Sequence, residues 1–177
     1  MTVSDSPADR TASRPEDFVG RILHEEVAEI DVELGFIQNW CEAMEDGNPL
    51  YWDDEAADGI AGGLVAPPTM LPTWLMPLRW HPGQEGHRRP LEAHFILKDA
   101  FDLPEGIATG NEIEFLAPVR LGHRLRAQQS VLSISDERTN RLGAGREWAI
   151  EVTYGRVGEN IIVGREIFRL FAYRKKG

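Results

Sequence analysis

Cysteine is nearly absent: Cys41 is the only one in 177 residues, so no internal disulfide can form and no Cys-rich zinc site can be built. A reducing compartment, the cytoplasm, is therefore expected. Long apolar runs are also missing. Nothing approaches the ~18 consecutive apolar residues of a membrane span, and Met1–Asp17 lacks the apolar centre of a signal peptide, so neither export nor membrane insertion is expected. Positive charge is in short supply, with 19 Lys+Arg against 29 Asp+Glu and a formal net charge of −10. Such a balance repels nucleic acid, whose affinity rests on phosphate neutralisation. The histidines, His24, His81, His87, His94 and His123, show no His-x-x-x-His spacing, so no metal is expected, and the sequence implies no cofactor.

What is present is the material of one globular domain. At 42% hydrophobic residues a chain of this length can bury a core without staples. Residues 1–17 are polar, show no hydrophobic period and read as a flexible tail; residues 18–177 read as a single domain. Phe18–Ile30 reads as a turn and a short strand. After Asp31, a candidate N-cap, Leu34, Ile37, Trp40, Cys41 and Met44 recur at three and four residues, which predicts an amphipathic helix ending at Glu45–Pro49. A short helix is expected over Asp53–Ala57. Because proline suits the first helical turn, a further helix, apolar on more than one face, is expected from Pro68 through Met70, Leu71, Trp74, Leu75 and Leu78 until Pro77 kinks or ends it.

Trp80–Pro90 reads as a polar, basic loop. Beyond Pro104, Ile107–Pro118, Leu125–Ser135, Trp148–Val157 and Ile161–Tyr173 are rich in β-formers and punctuated by glycine, which predicts an antiparallel meander. Gly158-Glu159-Asn160 is a hairpin turn and Asp136–Gly145 a longer hairpin loop. Helices early and strands late give an α+β domain with a long helix packed on an antiparallel sheet.

The segment Asp46-Gly47-Asn48-Pro49-Leu50-Tyr51, with Ala57 beyond it, resembles the hydratase motif of the MaoC-like hot-dog family, which includes (R)-specific enoyl-CoA hydratases and 3-hydroxyacyl-thioester dehydratases. The family pattern reads Gly-Asp-x-Asn-Pro-(Leu/Ile/Val)-His and then a small residue, its Asp and His being the catalytic pair. This chain departs twice: Glu45 stands at the Gly and Tyr51 at the catalytic His. Gly62-Gly63-Leu64-Val65-Ala66-Pro67-Pro68-Thr69 is similar to the FAS1-like dehydratase, or MaoC N-terminal, branch, as are Gly110–Phe115, Ala117-Pro118-Val119 and Leu121-Gly122. The resemblance spans Phe18 to Tyr173. It implies a hot-dog fold, a long central helix wrapped by an antiparallel sheet, and an acyl-CoA or acyl-carrier thioester as substrate.

Hydrating a 2-enoyl thioester needs a base to activate water, a proton donor for the α-carbon and dipoles for the enolate-like oxygen. The resemblance places the base at Asp46 and its auxiliary at Tyr51. A phenol of ordinary pKa about 10 cannot replace an imidazole near 6.5 as a base, although it can donate a proton or position water. Packing beside the turn is the alternative role for Tyr51, and turn-shaping the alternative for Asp46 and Asn48. Oxyanion donors in the family come from the N-terminus of the central helix. Since Pro67 and Pro68 have no N–H, that task would fall to Thr69 or Met70.

Substrate contacts are expected from Asn48, Pro68, Thr69 and Trp74, with Leu75, Leu78 and Trp80 able to widen an acyl channel or simply to pack. Arg79, His81, His87, Arg88 and Arg89 gather positive charge that would suit coenzyme A phosphates, with Arg88 and Arg89 the chosen contacts, unless the loop is merely solvated. His94 is either a surface or edge residue or a substitute base on a strand facing the pocket, and His123 a turn residue. The missing motif His implies a subunit of a hydratase or dehydratase paired with a catalytic MaoC-like partner, or else a homodimer. A non-catalytic acyl-thioester binding subunit and a hot-dog thioesterase are the alternatives.

Overall fold

The structure, a computed structural model, describes residues 14–78, 80, 82–83 and 89–176. Most of the expected tail, residues 1–13, and Arg79, His81, His87 and Arg88 of the basic loop lie outside the described residues. Pro15–Asp17 form a 3₁₀ turn, followed by β1 (Ile22–Val27) and α1 (Leu34–Met44). Ile37 and Cys41, one turn apart on α1, are completely buried, as the apolar spacing requires. The N-cap of α1 is Glu33 rather than Asp31, whose carboxylate instead accepts from Arg124 Nε at 2.5 Å. The second helix, α2 (Asp54–Ala61), extends beyond the expected range and is capped by Asp53, which accepts from the amides of Glu55 and Ala56 at 3.0 Å each.

The long helix expected from Pro68 does not form. Pro68–Leu75 is a 3₁₀ run that stops at Met76. Pro72 lies within it, lacks an N–H and crowds the preceding turn, which disfavours the i→i−4 ladder of an α-helix. Leu78 and Trp80 are 48% and 70% exposed and belong to the following loop, not to a helix. The α-helix that packs on the sheet is α3 (Glu92–Phe101), for which the sequence reading has no helix. It buries Ala93, His94 and Leu97.

The sheet comprises β1, β2 (Glu105–Phe115), β3 (Leu125–Ile134), β4 (Arg138–Thr139), β5 (Gly143–Arg156) and β6 (Ile162–Lys175). Its order is β1-β3-β5-β6-β2, with β4 paired to β5 and every pairing antiparallel. The expected meander holds from β3 to β6. By contrast, β2 leaves the meander and pairs with β6 at the far edge, so the strand before β3 in sequence is not its neighbour. The hairpin loop expected over 136–145 is shorter because β4 occupies part of it, whereas the turn at Gly158 (φ 78°) is as expected.

One face of the sheet carries the core in two clusters. The first gathers Ile37, Met70, Leu71, Trp74, Ala127, Val152 and Val163 under α1 and the 3₁₀ run. The second gathers Leu97, Val131, Trp148, Ile150 and Leu170 under α3. Complete burial of each large apolar side chain contributes roughly 1.5–3 kcal/mol. Gly106 allows β2 to pass close to α3, since a Cβ there would lie 3.0 Å from His94 Nε2.

Candidate functional site

α1 ends on Glu45 with φ 53°, the left-handed conformation that favours glycine, which accounts for the Gly of the family pattern at this position. The chain then turns through a relay of side-chain bonds. Asp46 donates its amide to the Cys41 carbonyl at 2.8 Å, while its Oδ1 accepts from the Asn48 amide at 3.0 Å. Asn48 Oδ1 in turn accepts from the Leu50 amide at 3.1 Å and caps the 3₁₀ turn Pro49–Tyr51. The exposed Trp52 reaches back and donates its indole N–H to the Asp46 carbonyl oxygen at 2.8 Å. Asp46 and Asn48 thus shape this turn, as Asx residues before proline do.

The turn delivers Tyr51 to a cleft of about 300 Å³. Val65–Pro68, Leu71 and Trp74 line one side, Phe115–Val119 the other, with Leu50 and Val163 completing it. Backbone bonds hold the two sides together: Ala66 N donates to Val119 O at 2.8 Å and Leu121 N to Leu64 O at 3.1 Å. Arg120 clamps the same region by donating from Nε to the Ala61 carbonyl at 2.7 Å, at the C-terminal end of α2. The lining is apolar apart from backbone groups, the Tyr51 phenol and the indole N–H of Trp74, which is buried and makes no hydrogen bond among the described residues. Burial, reinforced by the nearby Asp46 carboxylate, pushes that phenol above its ordinary pKa. It is neutral at physiological pH and serves as a hydrogen-bond donor rather than a base.

Of the sequence-predicted residues, Tyr51, Pro68 and Trp74 line the cleft together. Asp46 and Asn48 sit behind Tyr51, half-buried and outside the lining. Thr69 is exposed and also outside it, and the Met70 amide is committed to the Pro67 carbonyl at 2.9 Å. Arg89 is elsewhere: it bonds Glu92 at 2.9 Å and lies over the Phe95 ring at 4.1 Å. Arg88 is outside the described residues. His94 is neither on a strand nor at the surface; it is buried on α3 and accepts from Trp148. His123 does act in a turn, its Nδ1 accepting from the Arg120 amide at 3.0 Å.

The cleft wall Phe115–Pro118 was missed as a site element, although Ala117-Pro118-Val119 belongs to the resembling segments. Leu71 and Val163 carried no local signal, because only the packing of the 3₁₀ run on β6 brings them together. Among the described residues no three His, Cys, Asp or Glu side chains gather as a metal site would require, and no helix is long and apolar enough to cross a membrane.

Comparison with known proteins supports this architecture. The ChsH1–ChsH2 complex from Mycobacterium tuberculosis contains a chain that superposes with a TM-score of 0.68 at 24% identity, covering 88% of this chain and 85% of that one. The MaoC-like dehydratase from Rhodospirillum rubrum superposes with a TM-score of 0.58 at 19% identity, covering 92% and 97%. Both show the α+β hot-dog fold. In sequence the chain is similar to a probable enoyl-CoA hydratase alpha subunit of Thermomonospora curvata, 34% identical over 171 residues that make up 92% of this chain and 52% of that protein. The chain therefore spans about half the length of this curated relative. Residues 17–163 match the family model of the FAS1-like dehydratase domain region, and with the turn at Asp46–Tyr51 and the wall at Val65–Pro68 in place, the chain belongs to that family.

Proposed function

We propose that this chain is a subunit of an (R)-specific enoyl-CoA hydratase or 3-hydroxyacyl-thioester dehydratase, in which it forms part of the acyl channel while a second MaoC-like subunit supplies the catalytic Asp/His pair. The observation that carries this reading is Tyr51: at the motif's His position the cleft holds a neutral phenol, and among the described residues no other titratable side chain lines it. The apolar lining suits an acyl chain, and Tyr51 can hydrogen-bond to a thioester oxygen or a water. The reaction is reversible addition of water to a trans-2-enoyl thioester. The carrier is coenzyme A or an acyl carrier protein.

The fold supports a partner. β2 is an edge strand of 11 residues, largely exposed along its length, and it ends at Phe115 on the cleft wall. A long unpaired edge invites pairing with another strand, so a second hot-dog subunit docked there would also border the cleft. That partner is a separate MaoC-like chain, with a homodimer as the simpler arrangement. Should the chain act alone, the motif gives Asp46 as the base and Tyr51 as the donor, but Asp46 lies outside the cleft lining, which weighs against this arrangement as it does against the thioesterase. The thioesterase alternative requires a water-activating carboxylate at the thioester carbonyl, and no carboxylate lines the cleft among the described residues.

The test is an enoyl-CoA assay on the chain alone and on the complex that copurifies with it, with product analysis. Binding of acyl-CoA without turnover by the isolated chain, and hydration by the complex that survives Asp46→Asn, is the expected result. Turnover by the isolated chain that Asp46→Asn abolishes would transfer the chemistry to this subunit; release of free thiol would make it a thioesterase.

A further inference from the structure

The break in the helical segment leaves a second space over the inner face of the sheet. It lies between the end of the 3₁₀ run and the start of α3, has a volume of about 70 Å³, and has apolar sides that include Leu75, Met76, Leu91 and Phe168. The Tyr51 cleft and this slot share no lining residue and lie against different residues of the same 3₁₀ run: Pro68, Leu71 and Trp74 face the cleft, Pro72 and Leu75 the slot.

The sheet beneath it is polar. Glu26 on β1, Gln129 on β3 and Tyr154 on β5 all line the slot. Gln129, only 2% exposed, donates from Nε2 to Glu26 Oε1 at 3.1 Å and accepts from the Ala93 amide at 2.9 Å. Tyr154 donates its hydroxyl to Glu166 Oε2 at 2.5 Å, and Asn111 Nδ2 donates to Glu166 Oε1 at 2.7 Å. Five strands thus contribute a polar belt to an otherwise apolar face. Gln129 stands between Ala127 of one core cluster and Val131 of the other, and Glu166 between Val163 and Leu170. Burying such groups costs stability relative to apolar residues of the same shape, so a belt under an open slot calls for a reason beyond packing.

We propose that the slot is a binding site for the hydroxyl-bearing end of an otherwise apolar ligand, separate from the cleft at Tyr51. The donor and acceptor inventory is specific to that group. Gln129 Nε2 has a second N–H beyond the one given to Glu26, while the Tyr154 oxygen, its proton committed to Glu166, still has lone pairs to accept. A hydroxyl both donates and accepts, so it can satisfy both at once. An ether or a ketone can only accept, and an alkyl end leaves both groups facing hydrocarbon. Burial and the Glu166 carboxylate hold the Tyr154 phenol protonated, so its role as donor to Glu166 persists across the physiological pH range. The space accommodates the last few atoms of a ligand, about two waters' worth at ~30 Å³ each, while the remainder lies along the apolar walls. A site built to hydrogen-bond a hydroxyl discriminates strongly against an analogue without it.

The assignment does not depend on thioester chemistry and is tested without it. Protein-observed NMR on the full chain would follow the Gln129 side-chain amide and the Tyr154 ring during titration with n-butanol, its isostere methyl propyl ether, and n-butylammonium. Saturable shifts with n-butanol at least fivefold tighter than with the ether are expected. Met76→Trp, a change at a residue 57% exposed on the slot's rim, should fill the space and abolish binding without disturbing the fold. Tyr154→Phe should remove the preference for the alcohol. Equal affinity for alcohol and ether, tighter binding of the ammonium, or binding that persists in Met76→Trp would overturn the assignment. Because no acyl carrier is used, failure here leaves the hydratase reading standing, and failure of the enoyl-CoA assay leaves the slot standing.

Discussion

Trp148 donates its indole N–H to Nδ1 of His94 at 3.1 Å, which makes the imidazole an acceptor and puts its own proton on Nε2. His94 is only 8% exposed, and burial first, then the positive charges of Lys98 and Arg89, push its pKa down to about 4. Between that value and the ordinary 6.5 the unfolded chain binds a proton that the folded chain refuses, so stability rises with pH across this window. The contribution is fully present above pH 6.5 and is lost as pH falls towards 4, at most about 3 kcal/mol. Thermal unfolding at pH 7 and pH 5 should show a lower Tm at pH 5, and His94→Gln should flatten the difference. An unchanged slope in the variant would remove His94 as the cause.

Glu45 holds a left-handed backbone conformation that costs a non-glycine residue roughly 1–2 kcal/mol, partly offset by the greater entropy that glycine loses on folding. Its side chain is exposed. Glu45→Gly should therefore stabilise the chain by about 0.5–1 kcal/mol, read as a higher denaturant midpoint with an unchanged m-value.

Tyr154→Phe removes one side-chain donor to the buried Glu166 carboxylate and leaves Asn111 as another. A hydrogen bond to a buried charge contributes about 1.5–3 kcal/mol, so a loss of roughly 2 kcal/mol is expected in urea unfolding. Pairing the change with Glu166→Gln in a double-mutant cycle would show whether the two groups act as a unit.

Gly145→Ala should be among the most damaging single substitutions in the sheet. A Cβ at this position would sit 2.0 Å from the Ala172 carbonyl oxygen and 2.7 Å from Tyr173 Cα, both backbone atoms of the adjoining strand. Relief requires β5 and β6 to separate, and a cost of about 3 kcal/mol is expected. Gly158→Ala would be milder, since its Cβ meets nothing within 4 Å and only the positive φ opposes it. Comparison of the two Tm values checks the ranking.

Elements governed by nearest neighbours were readable from the residues. The spacing of Ile37 and Cys41 marked α1, Asp53 marked the start of α2, and Gly158 marked the β5–β6 turn. The Asp46–Tyr51 turn was readable for the same reason, since its bonds join residues two to six apart. Pro68 was misleading: proline suits the first turn of either kind of helix, and Pro72 then decided for 3₁₀. The start of α3 had no cap to announce it, because its N-cap, Leu91, takes a left-handed conformation and makes no side-chain cap bond. Arg89 attracted attention as a cation, yet Glu92 and Phe95 take up its charge.

Taken alone, the order of residues settles the α+β character, the positions of most strands and the replacement of imidazole by phenol at position 51, because each depends on side-chain identity and on contacts within a few residues. Packing in three dimensions decided the rest. Only the folded chain sends β2 to the edge beside β6, sets Phe115–Val119 opposite Val65–Pro68, and lays the Ala93 amide on Gln129, 36 residues away. Each of these joins groups with no local preference for one another, and each exists because burying apolar surface over one face of the sheet leaves the backbone and the polar belt a narrow set of ways to satisfy their hydrogen bonds.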